Sequence, residues 1–248
     1  MRYNGGKTQM IRSYGMGDFW LREIRKRKPR RFVDACCGSA AVTTFVRREF
    51  PDLPIIASDI HPSLIALLKA ISAGWKPPIV LTQTEYLELK AADARGEVSA
   101  LIGFAGFACT FGAQWFAGKG AMSMVGGSSR SLIAAAPFLQ TVDLRCGSYV
   151  DLLPEVADGD LWYFDKPYEG TQGYKGTPKF DHAAFWKSAR HLAHRVDVLV
   201  SEFAAPEGWK ELWSVQRKLS TRGGSYGDLA RTEVITRSDK VFEVANGR

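Results

Sequence analysis

The segment Gly159-Asp160-Leu161-Trp162-Tyr163-Phe164-Asp165-Lys166-Pro167-Tyr168 delivers a carboxylate, a proline-stiffened turn and an aromatic ring directly after an apolar run. That set suits one task. An exocyclic amine on a nucleobase is a poor nucleophile, because its lone pair is delocalised into the ring. The Asp165 carboxylate and the backbone carbonyl of Lys166 can each accept one amine N–H, which draws the nitrogen toward tetrahedral geometry and aims its lone pair at an electrophilic methyl. Tyr168 offers a stacking face to a base swung out of a helix. Positioning and electrostatics carry such a reaction, without a metal or a covalent intermediate.

A carboxylate delivered in this way needs a strand to carry it and a cofactor loop beside it. Arg31 to Val42 reads as a short apolar strand, a turn of small residues from Asp34 to Ala40, and the start of a helix. Pro54-Ile55-Ile56-Ala57-Ser58-Asp59 is a second buried strand ending on an acid, and His61 to Ala73 a helix with Pro62 near its start. Together these form one βαβ unit of a doubly wound sheet. Small residues at the Asp34–Ala40 turn let a nucleotide-like cofactor approach, and Asp59, about 20 residues beyond it, can accept both ribose hydroxyls. A structural turn plus a capping Asp59 would give the same pattern. Further strands are expected at Gly159–Phe164, Val196–Phe203 and Val241–Val244, with a helix over Asp181–His194, so the fold class is α/β. Residues 75 to 140 break the alternation: Thr84–Ala94 leans helical, and a Gly-, Phe- and Ser-rich stretch follows, which suits a binding lobe or lid inserted into a single domain of 1–248.

Charge and composition narrow the partners. The chain has 33 Lys+Arg against 26 Asp+Glu, a net charge of +7, which favours an acidic partner, nucleic acid first. Seven of the basic residues lie in Leu21–Arg31, ahead of and beyond Pro29; they read equally as a solvated helix end or a phosphate-contacting patch. No run of about 18 apolar residues is present, so no membrane span is expected. The start lacks an apolar leader, which points to the cytoplasm. Cys36, Cys37, Cys109 and Cys146 form no Cys-x-x-Cys pair and only 4 His are present, so reduced, buried structural thiols are expected and no metal site.

The Asp165–Tyr168 tetrad resembles the Asp-Pro-Pro-Tyr motif of amino-methyltransferases. With Tyr3-Asn4-Gly5-Gly6-Lys7, the Asp34–Ala40 loop, Phe111-Gly112-Ala113-Gln114-Trp115-Phe116, Gly170-Thr171-Gln172-Gly173-Tyr174 and Val198–Phe203, the chain resembles the Dam-type (D12 class) DNA adenine-N6 methyltransferases, phage-borne ones especially, over nearly its whole length. The resemblance implies a Rossmann-like class I methyltransferase sheet with helices on both faces and a small recognition lobe. It also implies S-adenosylmethionine as methyl donor, with Tyr3, Lys7, Asp59 and Asp165 lining cofactor and active site; Asp34, Cys37, Gly38, Ser39 and Ser148 complete the candidate cofactor set. Double-stranded DNA is the expected partner, with a short or relaxed target sequence, and the chain is expected to be a monomer or weak dimer, in a phage or restriction-modification setting.

Three departures stand out. Lys166 occupies a proline position, where its ammonium would compete for Asp165 or repel the cofactor's sulfonium and so impair catalysis. Ala40 stands where a second glycine is usual, tolerable at negative φ. Ser148 replaces a cofactor-contacting acid. The candidate DNA contacts are Gln114, Trp115, Lys119, Arg130 and Tyr174. Blander readings accompany them: Phe104, Phe107, Phe111, Trp115 and Phe116 as core, Arg130 as a solvated loop arginine, Lys7 as a surface lysine, and Tyr168 and Tyr174 as core aromatics. A catalytically silent DNA-binding protein of this fold is the alternative function, or an amino-methyltransferase for cytosine N4, RNA or a protein amide.

Overall fold

The computed structural model describes residues 6–110, 114–120, 122–171, 179–218 and 230–239. Tyr3, Tyr174, Phe111 to Ala113 and the strand expected at Val241–Val244 lie outside them. Seven strands form one sheet in the order β3-β2-β1-β4-β5-β7-β6. These are β1 Arg31–Asp34, β2 Ile55–Asp59, β3 Asp143–Cys146, β4 Asp160–Phe164, β5 Asp197–Glu202, β6 Trp209–Lys218 and β7 Ala230–Ser238. The first five run parallel, and β7 is antiparallel to both β5 and β6. The α/β expectation holds. β3 and the β6–β7 hairpin were not anticipated: β3 is only 4 residues long, and its Arg145 bonds the exposed acids Asp143 and Glu155, so it lacks the apolar run that marks the other parallel strands.

Burial on both faces explains those runs. Phe32, Leu161, Tyr163 and Leu199 point into one apolar cluster, while Val33, Trp162, Phe164 and Val198 point into the other. The first is covered by α2 (Met16–Arg27), α3 (Ala41–Glu49) and α4 (Pro62–Ser72), the second by α8 (Tyr149–Leu152) and α9 (His182–Leu192). Before α2 lies α1, Thr8–Ser13. α2 ends at Arg27, two residues before Pro29, with Lys28 left-handed at φ 48. Within the basic run Arg27 is structural, bonded to Glu23 and Asp197 at 2.8 Å each, and Arg31 grips Asp160 with two nitrogens.

Within 75–140 the helix expected over Thr84–Ala94 is present, and the Gly-, Phe- and Ser-rich stretch beyond it is largely helical too. It contains α5 (Gln83–Ala94), α6 (Ala100–Gly103), a π-helical turn at Phe104–Ala108 and α7 (Met122–Ala135). Arg130 therefore stands exposed on a helix, not on a loop. Helix wins over the low propensity of Gly126-Gly127-Ser128-Ser129 because both serines find partners: Ser128 Oγ donates to the Ala108 carbonyl at 2.8 Å and Ser129 Oγ to that of Pro77 at 2.7 Å. Tertiary packing supplies what the local sequence lacks.

Candidate active site

Strand order reverses between β1 and β4, because β1 connects outward through β2 and β3 while β4 leads the other way. In open α/β sheets ligands bind in the crevice at that switch, beyond the carboxyl ends of the strands. Asp34 ends β1, Asp59 ends β2, and Asp165 directly follows β4. A crevice at this point is lined by Lys7, Asp34, Gly38, Ser39, Tyr163 and Asp165, among others.

The small-residue turn follows β1, and it departs from expectation at one residue. Asp59 Oδ2 accepts the Gly38 N–H and Oδ1 the His61 N–H, each at 3.0 Å, and the Cys37 N–H donates to the Ser58 carbonyl at 2.8 Å. Gly38 has φ 49, and Ala40 has φ 55 rather than the negative angle that would make it a comfortable substitute for glycine. Ala40 is fully buried and its N–H bonds the Cys37 carbonyl, so the turn holds it there. Asp34 Oδ2 accepts the Thr43 hydroxyl at 2.6 Å; Oδ1 is buried with no hydrogen-bond partner among the described residues. Burial pushes the Asp34 carboxyl up to about 7, with Thr43 opposing and Asp165 and Asp59 adding. Asp59 is pushed up to about 6, again by burial first, against the backbone N–H bonds. Asp34 and Asp165 line the crevice, Asp59 holds the Gly38 N–H beside it, and one Asp34 oxygen is orphaned, so the site calls for positive charge.

Lys7 supplies part of it. Its Nζ lies 2.6 Å from Asp165 Oδ1, 3.0 Å from Glu233 Oε1 and 2.9 Å from the Tyr168 hydroxyl. Tyr168 donates to Glu233 Oε1 at 2.7 Å and lies 3.2 Å from Asp165 Oδ1. Burial would lower the Lys7 ammonium, but Asp165 and Glu233 more than offset it and hold it above its ordinary value. Burial raises Asp165 despite Lys7. Lys7 and Tyr168 both meet Asp165 at Oδ1, and Asp165 lines the crevice. Lys7 is thus a buried site residue and no surface lysine.

Lys166 does not compete for Asp165. Its ammonium pairs with Glu202, at the end of β5, and the side chain is fully buried. Tyr168 is half-buried, its ring edge-on to Phe203 at 4.7 Å. Ser148 caps α8, accepting from the Val150 N–H, and its own N–H meets Asp151 at 2.8 Å. This brings an unanticipated acid to the end of β3, where the Gly147 N–H bonds the Asp59 carbonyl.

The recognition residues divide. Gln114 is exposed and Lys119 half-exposed, whereas Trp115 is core: its Nε1 donates to Asp93 at 3.0 Å and its ring packs on His61 and Phe107. Among the cysteines Cys37 and Cys109 are buried and Cys36 partly so, but Cys146 is exposed, contrary to expectation. Among the described residues no group of acids, histidines and cysteines could hold a metal ion, and no helix is long and apolar enough to cross a membrane.

No family model and no curated protein matches the sequence. Solved structures do. An rRNA methyltransferase, aviRa, from Streptomyces viridochromogenes is similar at 16% identity over 90% of this chain and 83% of that one, with a TM-score of 0.40. A Glu-to-Gln mutant of MtNAS is similar at 11% identity, over 92% of this chain and 63% of that one, with a TM-score of 0.37. The same mutant in complex with S-adenosylmethionine gives 11%, 89%, 60% and 0.35. The chain spans less than two thirds of MtNAS, and likenesses this distant say nothing of activity.

Glu233 and Glu202 were not foreseen as site residues. Glu202 carries the signal that marked Asp59, an acid ending a buried apolar run. Glu233 carries none: it sits inside a strand, and its partner Lys7 lies at the far end of the sequence.

Proposed function

We propose that this chain is an S-adenosylmethionine-dependent methyltransferase acting on the N6 amine of adenine in double-stranded DNA. The observation that carries the reading is Asp165, held through Oδ1 by Lys7 and Tyr168 at the switch-point crevice, beside the Gly38 turn. The fold supports it too: a mostly parallel, doubly wound sheet with helices on both faces is the Rossmann-like sheet that the resemblance to Dam-type enzymes implies. The residues fit the cofactor, because a crevice lined by Asp34 and Asp165, with a buried orphan oxygen on Asp34, suits a cationic ligand.

When bound, S-adenosylmethionine would supply an electrophilic methyl on a cationic sulfur. The Asp165 carboxylate and the Lys166 carbonyl accept the two amine N–H groups and expose the nitrogen lone pair. Asp165, its carboxyl raised by burial, takes the proton shed by the methylated nitrogen. Lys7 holds the carboxylate in place through Oδ1. The helical segment within 75–140 serves as the recognition lobe, with Gln114, Lys119 and Arg130 as DNA contacts and a short or relaxed target sequence. The silent DNA-binding alternative rested on Lys166, as a competitor for Asp165, a charge repelling the sulfonium or the loss of a rigid link; its pairing with Glu202 argues against the first of these.

The test is direct. Incubation with unmodified duplex DNA and S-adenosylmethionine, digestion to nucleosides and mass spectrometry should yield N6-methyldeoxyadenosine. Asp165→Asn should reduce its rate of formation by about a thousandfold. N4-methylcytosine, or product only on RNA, would move the activity to those substrates. Binding of DNA without any product would restore the silent reading.

A further inference from the structure

Successive residues of an extended chain face opposite ways. Asp165 faces Lys7, Tyr168 and Glu233, so Lys166 is turned to the other side of the sheet edge. There its Nζ lies 5.3 Å from the Trp186 ring centroid, 5.4 Å from Phe185 and 5.9 Å from Tyr168. A buried ammonium is held in such a place by its counter-charge, Glu202, with the ring faces adding attraction. Glu202 is itself anchored: Oε1 accepts the Phe203 N–H at 2.8 Å, and Oε2 also accepts the Glu169 N–H at 3.4 Å. Tyr168 leans edge-on against Phe203. The end of β5 thus grips the 165–169 turn through Lys166, Tyr168 and Glu169.

We propose that Lys166 and Glu202 are a positioning pair that fixes the turn bearing Asp165 and Tyr168, doing electrostatically what a proline at position 166 would do covalently. The kinetic side of this inference rests on the methyltransferase reading. One consequence is that Lys166→Pro is no simple repair, because it leaves Glu202 buried without its cation; a working proline version needs Glu202 replaced as well.

The experiment uses the full chain with Lys166→Met, Glu202→Gln, and the doubles Lys166→Met/Glu202→Leu and Lys166→Pro/Glu202→Leu. Each single variant should lose about tenfold to a hundredfold in kcat, with KM for S-adenosylmethionine within about twofold. The Met/Leu double should regain thermal stability, since no charge is left unpaired, yet keep the low kcat. The Pro/Leu double should regain both. A Met/Leu double with restored kcat, a Pro/Leu double that is stable but slow, or single variants with unchanged kcat would overturn the proposal. Hydrogen exchange over 165–171 separates this from the functional reading: even with no turnover in the parent, Glu202→Gln should exchange about tenfold faster there. Unchanged exchange would overturn the pin, whereas absent product alone would overturn only the function.

Discussion

Two stretches of this chain are rich in small residues, and they use them for opposite ends. In the 37–40 turn, Gly38 and Ala40 sit at φ 49 and 55, the backbone folds tightly beside Asp59, and the turn borders an open crevice. At Gly103 and Gly106 the small residues lie in helical turns and let neighbours come close. A Cβ on Gly103 would stand 2.0 Å from the Ser63 carbonyl oxygen of α4, and one on Gly106 would stand 2.2 Å from the Trp115 ring. The first stretch borders a crevice, whereas Gly103 and Gly106 leave no room at all. The lesson is that glycine and alanine content cannot by itself separate a binding loop from a tight helical contact.

That contrast can be broken most severely at Gly103. Gly103→Ala forces a methyl into backbone, which cannot yield as a flexible side chain would. It should cost about 3 kcal/mol and lower Tm by about 6–12 °C. An unshifted thermal melt would mean that α6 and α4 do not meet as described.

A smaller effect, of opposite sign for stability, is expected on the ligand side. Asp34 has its folded-state pKa raised to about 7, so between its ordinary value and that pH the native state keeps a proton that the unfolded chain has lost. Stability contributed at this residue therefore falls as pH rises from about 4 to about 7. Asp34→Asn should flatten that dependence and raise stability above pH 7 by on the order of 1–3 kcal/mol, while weakening S-adenosylmethionine binding. Chemical denaturation across pH, paired with calorimetric titration of the cofactor, checks both halves. A variant less stable at pH 8 would contradict the buried, charge-averse site.

Ala40→Gly should give the smallest change. Relief of the left-handed strain, about 1 kcal/mol, is partly offset by the greater freedom of glycine in the unfolded chain. A rise in Tm of about 1–2 °C is expected, with cofactor affinity retained. A fall would show that the Ala40 methyl is needed by the core.

Much of the site was legible because its carriers are local. An acid at the end of each buried strand is visible at Asp34, Asp59 and Asp165, since strands buried on both faces read as apolar runs that stop abruptly. The tetrad is contiguous, so it could be found without knowing the fold. The basic run was ambiguous for the converse reason: Arg27 and Arg31 are tied to Asp197 and Asp160, which are distant in sequence.

The sequence by itself determined the parallel α/β core, the acids at its carboxyl edge and the contiguous Asp165 to Tyr168 tetrad, because each rests on short-range periodicity or on neighbouring residues. Only the tertiary structure decided where the charges pair. Lys7 goes to Asp165 and Glu233, and Lys166 to Glu202. These partners are joined across β4, β5 and β7, and a buried charge takes the counter-charge that the packed sheet edge brings to it rather than the nearest one along the chain.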